Sequence, residues 1–139
     1  MQEEIRTMFK KANKTTEFRN KNGQLAKDII NWLLKKGIFD DTFIYVNGKR
    51  YGTYDGEKSY HYGTNSWEDV YVEDDKDPKD YFEYAGEHLS MSFEGPLYDL
   101  LNYGFEWDSH AEEELTDIFK KHGFYFELGN AWNLTAVKI

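Results

Sequence analysis

The stretch YFEYAGEHLSMSFEGPLYDLL, residues 81–101, decides the predicted fold. Its two runs of aromatic and apolar residues, 81–84 and 89–93, are separated by an Ala-Gly pair, which is the pattern of two extended strands joined by a turn. A glycine ends the second run, and Pro96 then opens LYDLL, which predicts a short helix. The stretch therefore predicts a strand-to-helix junction in the middle of the chain.

Two helices are predicted before this stretch. Apolar residues recur at helical spacing over residues 2–12 and, more strongly, over residues 24–36. Gly37 follows the second pattern directly and is expected to end that helix. The polar residues 13–23 are predicted to be a linker.

Several strands are predicted between the helices and the central stretch. Asn47-Gly48 is a strong hairpin signal, and it joins two β-rich runs, residues 42–46 and 50–54. Residues 67–73 alternate in hydropathy and predict a further strand with one side facing water. The predicted sheet is therefore mainly antiparallel, because every step from strand to strand is short.

The charged run DDKDPKD, residues 74–80, is predicted to be an exposed turn, since Pro78 cannot extend a strand ladder. An alternative is that Asp77 caps a helix with Pro78 at its first position. The aromatic run 81–84 and the glycine after it favour a strand instead.

A helix and a hairpin are predicted after the central stretch. Residues 109–121 have a helical apolar face, and Ser109 with Glu112 has the spacing of a capping box. Residues 124–128 and 131–137 are predicted to form a terminal hairpin with its turn at Gly129-Asn130.

Together these patterns predict an α+β fold with a mainly antiparallel sheet of about six or seven strands, packed by about four helices. A chain of 139 residues is the size of one domain. The expected parts of this single domain, residues 1–139, are a helical N-terminal part (1–36), a β-rich acidic part (42–93), helices (96–121) and the terminal hairpin (124–137).

The composition excludes several classes of protein. The chain has no cysteine, so disulfides, thiol nucleophiles and cysteine-ligated zinc are excluded. It has neither the apolar run of a membrane helix nor the apolar core of a signal peptide, and we expect a cytoplasmic protein without a membrane partner. The aromatic share of 18% supports a packed core despite the high charge.

The charge is unevenly distributed along the chain. Residues 1–54 hold 11 bases and 6 acids, whereas residues 55–114 hold 3 bases and 18 acids. The formal net charge is −9, which opposes direct binding to nucleic acid. Such asymmetry indicates a charged partner or internal pairing. The basic first third also allows a head-to-tail homodimer in which it meets the acidic part of a second copy.

No catalytic, metal-binding or cofactor-binding motif is present, and we expect neither a cofactor nor an enzyme. His110 and Glu114 lie four residues apart but lack the pattern of a zinc helix. The acidic turn at 74–80 lacks the glycine and distal glutamate of a calcium loop. An enzyme with scattered carboxylates stays open, because Glu83, Glu94 and Glu127 lie in aromatic runs. Alternation in a strand favours the solvent side for them.

Acidic residues interleaved with aromatic ones predict a surface that binds a basic protein. Carboxylates along a strand edge can resemble the phosphate spacing of DNA, and aromatic side chains can anchor the partner. The leading hypothesis is an inhibitor that mimics nucleic acid and binds a basic nucleic-acid-handling protein. The predicted contact residues are Trp67, Glu68, Asp69, Tyr71, Glu73, Asp74, Asp75, Asp77, Asp80 and Glu83.

In size, charge and composition the chain resembles the small acidic antirestriction and anti-CRISPR proteins encoded by phages and plasmids. This resemblance implies a protein target, and no residue role is carried over from it. The alternative is a small-ligand-binding module, with an aromatic pocket lined by Tyr60, Tyr62, Trp67, Tyr81, Tyr84 and Trp132. A third interpretation is that the acidity serves only solubility.

Overall fold

The computed structural model describes residues 10–13, 17–54, 63–103 and 110–139. In these residues a seven-stranded antiparallel sheet is combined with three α-helices. The strands are β1 (Lys10–Lys11), β2 (Thr42–Val46), β3 (Lys49–Gly52), β4 (Tyr71–Asp74), β5 (Leu89–Phe93), β6 (Phe124–Asn130) and β7 (Asn133–Lys138). The helices are α1 (Lys21–Lys36), α2 (Pro96–Tyr103) and α3 (Ala111–Lys121). The α+β class and the antiparallel sheet are thereby confirmed, with three helices in the described ranges rather than about four.

The strand order is β1-β4-β3-β2-β5-β7-β6, and every pair is antiparallel. The β2–β3 hairpin turns at Asn47-Gly48, as predicted, and both turn residues have positive φ angles of 54° and 76°. This is the conformation that a two-residue hairpin turn of this kind requires. The central pair, β2 with β5, joins the N-terminal and C-terminal halves of the chain into one sheet.

The helices pack on one face of the sheet, where alternate strand residues point into a shared core. Ile44, Met91 and Leu134 lie side by side in register on three neighbouring strands and are fully buried. Residues from all three helices, including Leu33, Leu97 and Leu115, belong to the same core cluster. The opposite face of the sheet carries no α-helix in the described part of the chain, and we refer to it as the open face.

Helix α1 begins and ends at residues whose chemistry favours those positions. The Asn20 side chain accepts a hydrogen bond from the Gly23 amide at 2.7 Å, which caps the helix. Gly37 ends it in the left-handed conformation, with φ of 67°. The cap lies inside the predicted linker, so the helix starts three residues earlier than the apolar pattern indicated.

Residues 81–84 do not form the predicted strand. The chain makes a short 3-10 helix at Pro78–Asp80, in which the Asp77 side chain accepts from the Lys79 amide at 2.9 Å. The alternative in which Asp77 caps a helix was therefore correct for one turn. Beyond this turn Phe82 is buried against the open face, where its ring contacts those of Tyr45 and Trp132.

Two other predicted elements begin or end differently. Residues 67–73 start with a 3-10 helix, Trp67–Asp69, and become a strand only at Tyr71, because the Ser66 side chain accepts from the Glu68 amide and caps a turn. The predicted helix 2–12 lies mostly outside the described residues. Its last part, Lys10–Lys11, is strand β1, which pairs with the outer edge of β4.

The C-terminal elements are confirmed with shifted ends. Helix α3 starts at Ala111, and the preceding residue, His110, makes no side-chain cap. Ser109 lies outside the described residues, so the predicted capping box with Glu112 stays a prediction. Strand β6 continues through Asn130 with an irregular register at 128–130, and the turn moves to 131–132, where Asn130 Oδ1 accepts from the Trp132 amide.

Candidate partner-binding surface

A row of polar side chains crosses the open face from strand to strand. The register places Glu73, Arg50, Tyr45, Ser90 and Thr135 side by side on β4, β3, β2, β5 and β7. The hydroxyl of Ser90 donates to that of Thr135 at 3.0 Å. Buried polar groups are stable when they are hydrogen-bonded in this way. The open face therefore carries a row of polar side chains that are hydrogen-bonded or ion-paired with one another, unlike the apolar face under the helices.

The row begins with a largely buried ion pair between Arg50 and Glu73. Glu73 Oε1 accepts from Arg50 Nε at 2.8 Å and lies 2.6 Å from Nη2. The guanidinium also lies over the rings of Phe43 and Tyr81, at 4.5 and 5.0 Å from their centroids. Burial lowers the pKa of Arg50, but hydrogen bonds with Tyr45 and Glu73 raise it by more, so the guanidinium stays charged.

The acidic segment, residues 75–87, crosses the open face in an irregular conformation apart from its one 3-10 turn. Phe82 anchors it with edge-on contacts to Tyr45 and Trp132, at centroid distances of 5.5 and 5.8 Å. Farther along, the Gly86 amide donates to Thr135 Oγ1 at 2.7 Å. The segment is thus attached at its middle and its end, which leaves the side chains between these points facing solvent.

Most of the predicted acidic contact residues are exposed. Asp75, Asp77, Asp80 and Glu83 lie on the acidic segment, and Glu68 lies on the 3-10 helix before β4. None of the four on the segment forms an ion pair within the described residues. These four residues are therefore exposed along one continuous segment of the chain.

Asp74 and Glu73 are engaged inside the molecule instead. Asp74 is exposed, but Lys10 Nζ lies 3.0 Å from its Oδ2 and Lys49 Nζ lies 3.7 Å from its Oδ1. The hydrogen bond from Lys10 lowers the pKa of Asp74, although partial burial opposes it. Glu73 is 4% exposed and so is not available at the surface. Internal pairing thus accounts for part of the charge asymmetry in the sequence.

The other three predicted contact residues lie apart from the acidic segment. Trp67 packs edge-on against Phe18, 5.6 Å between centroids, and donates to Asn31 of α1 at 2.7 Å. It therefore belongs to the helix side of the sheet. Asp69 accepts from the Thr64 hydroxyl. Tyr71 is half-buried on β4 near the β1 edge.

Two exposed tyrosines of the acidic segment were not among the predicted contact residues. Tyr81 and Tyr84 are 43% and 44% exposed, which is high for aromatic side chains. The hydroxyl of Tyr84 donates to Glu127 at 2.6 Å, and Tyr125 donates to the same carboxylate at 3.2 Å. This hydrogen bond with Glu127 raises the pKa of Tyr84. The aromatic run YFEY, residues 81–84, pointed to these two tyrosines. Its interpretation as a strand did not predict which of its rings face solvent.

The predicted aromatic pocket is formed only in part. Tyr81 and Trp132 line one cavity of about 280 Å³ on the open face. Tyr84 lines a separate cavity beside β7, and Trp67 lies on the helix side. Tyr60 and Tyr62 lie outside the described residues. The four of these residues that the structure describes therefore do not share a pocket, because the sheet separates Trp67 from the open face and Tyr84 lines another cavity.

The described residues contain no group of three or more histidine, aspartate or glutamate side chains placed to hold a metal ion. Glu114 in particular is engaged by α1, with Lys36 Nζ at 2.7 Å and Trp32 Nε1 at 3.2 Å.

Among the described residues, no helix combines the length and apolar character needed to cross a membrane.

No protein-family model matches the chain, and neither a curated protein nor a solved structure matches it.

Proposed function

We propose that this chain is a small acidic inhibitor that binds a basic nucleic-acid-handling protein through its acidic segment. The observation that carries the proposal is the arrangement of residues 75–87. Five carboxylates of this segment form no ion pair within the described residues, and two half-exposed tyrosines lie between them. The carboxylates are those of Asp75, Asp77, Asp80, Glu83 and Glu87.

This arrangement suits a partner that normally binds phosphates. Duplex DNA carries one negative charge per roughly 1.7 Å of its axis, and a dense row of carboxylates offers a basic groove a similar field. Charge of this kind accelerates encounter and excludes acidic partners, whereas aromatic side chains supply most of the contact energy. Tyr81 and Tyr84 are placed to act as such anchors. The proposed mechanism is competition: the partner's nucleic-acid groove is occupied by the acidic segment.

The proposal uses a different set of residues from the one that the sequence indicated. Glu73 supports Arg50, Asp74 holds two lysines, and Trp67 packs on the helix side. These three residues have structural partners that a second protein would have to displace. Glu87, Tyr81 and Tyr84 join the proposed contact set in their place.

An affinity capture experiment tests the proposal. The immobilised chain is incubated with nuclease-treated bacterial lysate, and bound proteins are eluted with duplex DNA. The test variant D75N/D80N/E83Q/E87Q removes four charges and spares Asp77, which caps the 3-10 helix. The control D99N/E112Q/E113Q/D117N removes four exposed charges from α2 and α3.

We expect the wild-type chain and the control to retain the same basic protein, released by DNA, and the test variant to lose it. Equal capture by the test variant would refute the role of the segment. Capture of no DNA-displaceable protein by the wild-type chain would refute the proposed function.

The predicted head-to-tail homodimer is a separate proposal. Lys10, Lys49 and Arg50 of the basic first third already pair with Asp74 and Glu73 within one chain. A dimer would therefore use other bases, and light scattering at low and high salt would reveal it as a mass that halves when salt is added.

A further inference from the structure

The cavity of about 280 Å³ on the open face lies next to the acidic segment and shares Tyr81 with it. Its other walls come from Phe43 and Tyr45 of β2 and from Trp132 in the turn between β6 and β7. The volume lies just below the range for small-molecule sites and suits one side chain of a partner. The cavity is therefore a place where a partner held by the acidic segment can insert a residue.

Contacts with neighbouring residues hold the aromatic walls of this cavity in place. Phe82, which is 6% exposed, contacts both Tyr45 and Trp132 edge-on. The Tyr45 hydroxyl lies 3.3 Å from that of Ser92, and the Trp132 carbonyl accepts from the Phe93 amide at 2.8 Å. Walls held in this way need little reordering when a ligand enters, which favours affinity.

Two acidic residues belong to the lining of the cavity. Asp41 and Glu94 both line it, and the Glu94 amide donates to the Asp41 carbonyl at 3.0 Å, which keeps the two residues together. Neither forms an ion pair within the described residues. The one cation of the cavity lining, Arg50, is already compensated by Glu73. The cavity therefore carries uncompensated negative charge beside aromatic rings.

We propose that this cavity binds the guanidinium of an arginine side chain presented by the basic partner. This inference rests on the proposed function and names the contact that would anchor the partner. Aromatic faces attract cations, and a planar guanidinium also stacks on them. The ring of Trp132 would contact the guanidinium, while Asp41 and Glu94 would accept its hydrogen bonds. The Tyr81 ring already has the guanidinium of Arg50 over it, 5.0 Å from its centroid. An anionic ligand is disfavoured, because both carboxylates would repel it.

The direct test is a titration with N-acetyl-L-arginine N-methylamide, followed through the indole N–H resonance of Trp132. The chain has four tryptophans, so the variant W132F assigns this resonance. The matched probe is the citrulline analogue, which has nearly the same shape but no charge. We expect the arginine probe to shift the Trp132 resonance in a saturable way and the citrulline probe to leave it unchanged.

The test variant is D41N/E94Q, which removes both charges and keeps the side-chain shapes. Asp41 has a φ of 49°, a conformation that asparagine adopts readily, so the fold should be retained. We expect the dissociation constant of the arginine probe to rise about tenfold in this variant. The control E112Q/E113Q removes two exposed charges from α3 and should leave the constant within about twofold of wild type.

Equal binding of the two probes, or an unchanged constant in D41N/E94Q, would overturn the inference. Failure of the inference and failure of the proposed function are distinguishable. If D41N/E94Q still captures the DNA-displaceable protein that D75N/D80N/E83Q/E87Q loses, the acidic segment binds the partner and the cavity does not.

Discussion

The Arg50–Glu73 pair should make a large contribution to the stability of the sheet. The side chain of Glu73 is 5% exposed and that of Arg50 is 16% exposed, so both charges have lost most of their water. Removing one partner of a buried pair leaves an uncompensated charge and costs about 3–5 kcal/mol. Because Arg50 keeps some exposure and lies over two aromatic rings, we expect E73Q to reduce the free energy of unfolding by about 3 kcal/mol.

Urea unfolding at neutral pH measures this effect, and a thermal melt should show a loss of roughly 12 °C. The control is D74N on the same strand. Asp74 is exposed where Lys10 and Lys49 contact it, so its loss should cost at most about 1 kcal/mol. A cost for E73Q no greater than that for D74N would refute the reasoning that burial makes the pair important.

The double variant R50M/E73M tests whether the cost of E73Q comes from the buried charge that it leaves unpaired. Two apolar side chains of similar length remove both charges at once, and such replacements are often close to neutral. We therefore expect the double variant to be more stable than E73Q alone. If its loss of stability equals the sum of the losses measured for R50M and E73M alone, the two residues act independently. The ion pair would then not be the cause of the loss in E73Q.

Three further predictions concern other parts of the molecule. Burial raises the pKa of Asp28, but the hydrogen bond with His122 at 2.6 Å and nearby charge lower it by more. The stability lost in D28N should therefore be full above about pH 4, the range of an unperturbed aspartate, and should shrink as the pH is lowered further, measured by urea unfolding at a series of acidic pH values. N20A removes the cap of α1 and should cost about 1 kcal/mol, while N20D should retain most of it. G52A would place a methyl group 2.7 Å from the Phe43 ring, and we expect it to reduce the free energy of unfolding by at least about 1 kcal/mol in the same assay. A smaller cost would show that the ring moves freely.

Local signals in the sequence predicted several elements well. The Asn47-Gly48 turn, the strand at 89–93 and the helix that starts at Pro96 all appear where their patterns indicated. Each depends on residues within a few positions of one another, and their conformational preferences act in any context. The end of α1 at Gly37 belongs to the same group.

The errors occur where a distant part of the chain provides the partner. Residues 10–11 form a strand because β4, some sixty positions later, leaves an edge free for them. The aromatic run 81–84 is not a strand, because Tyr45 and Trp132 bury Phe82 on the open face. Hydrophobic pattern alone does not distinguish a strand from an irregular segment that buries one ring.

The sequence by itself determined the fold class, the antiparallel sheet and the concentration of acidic residues in the middle of the chain. Those properties follow from periodicity, turn chemistry and composition, which are local. Only the tertiary structure decided which acids are free. Glu73 and Asp74 find cations on neighbouring strands, whereas the carboxylates of the acidic segment find none within the described residues. The physical reason is that pairing depends on strand register and on the face of the sheet, and both are set by contacts between residues far apart in the chain.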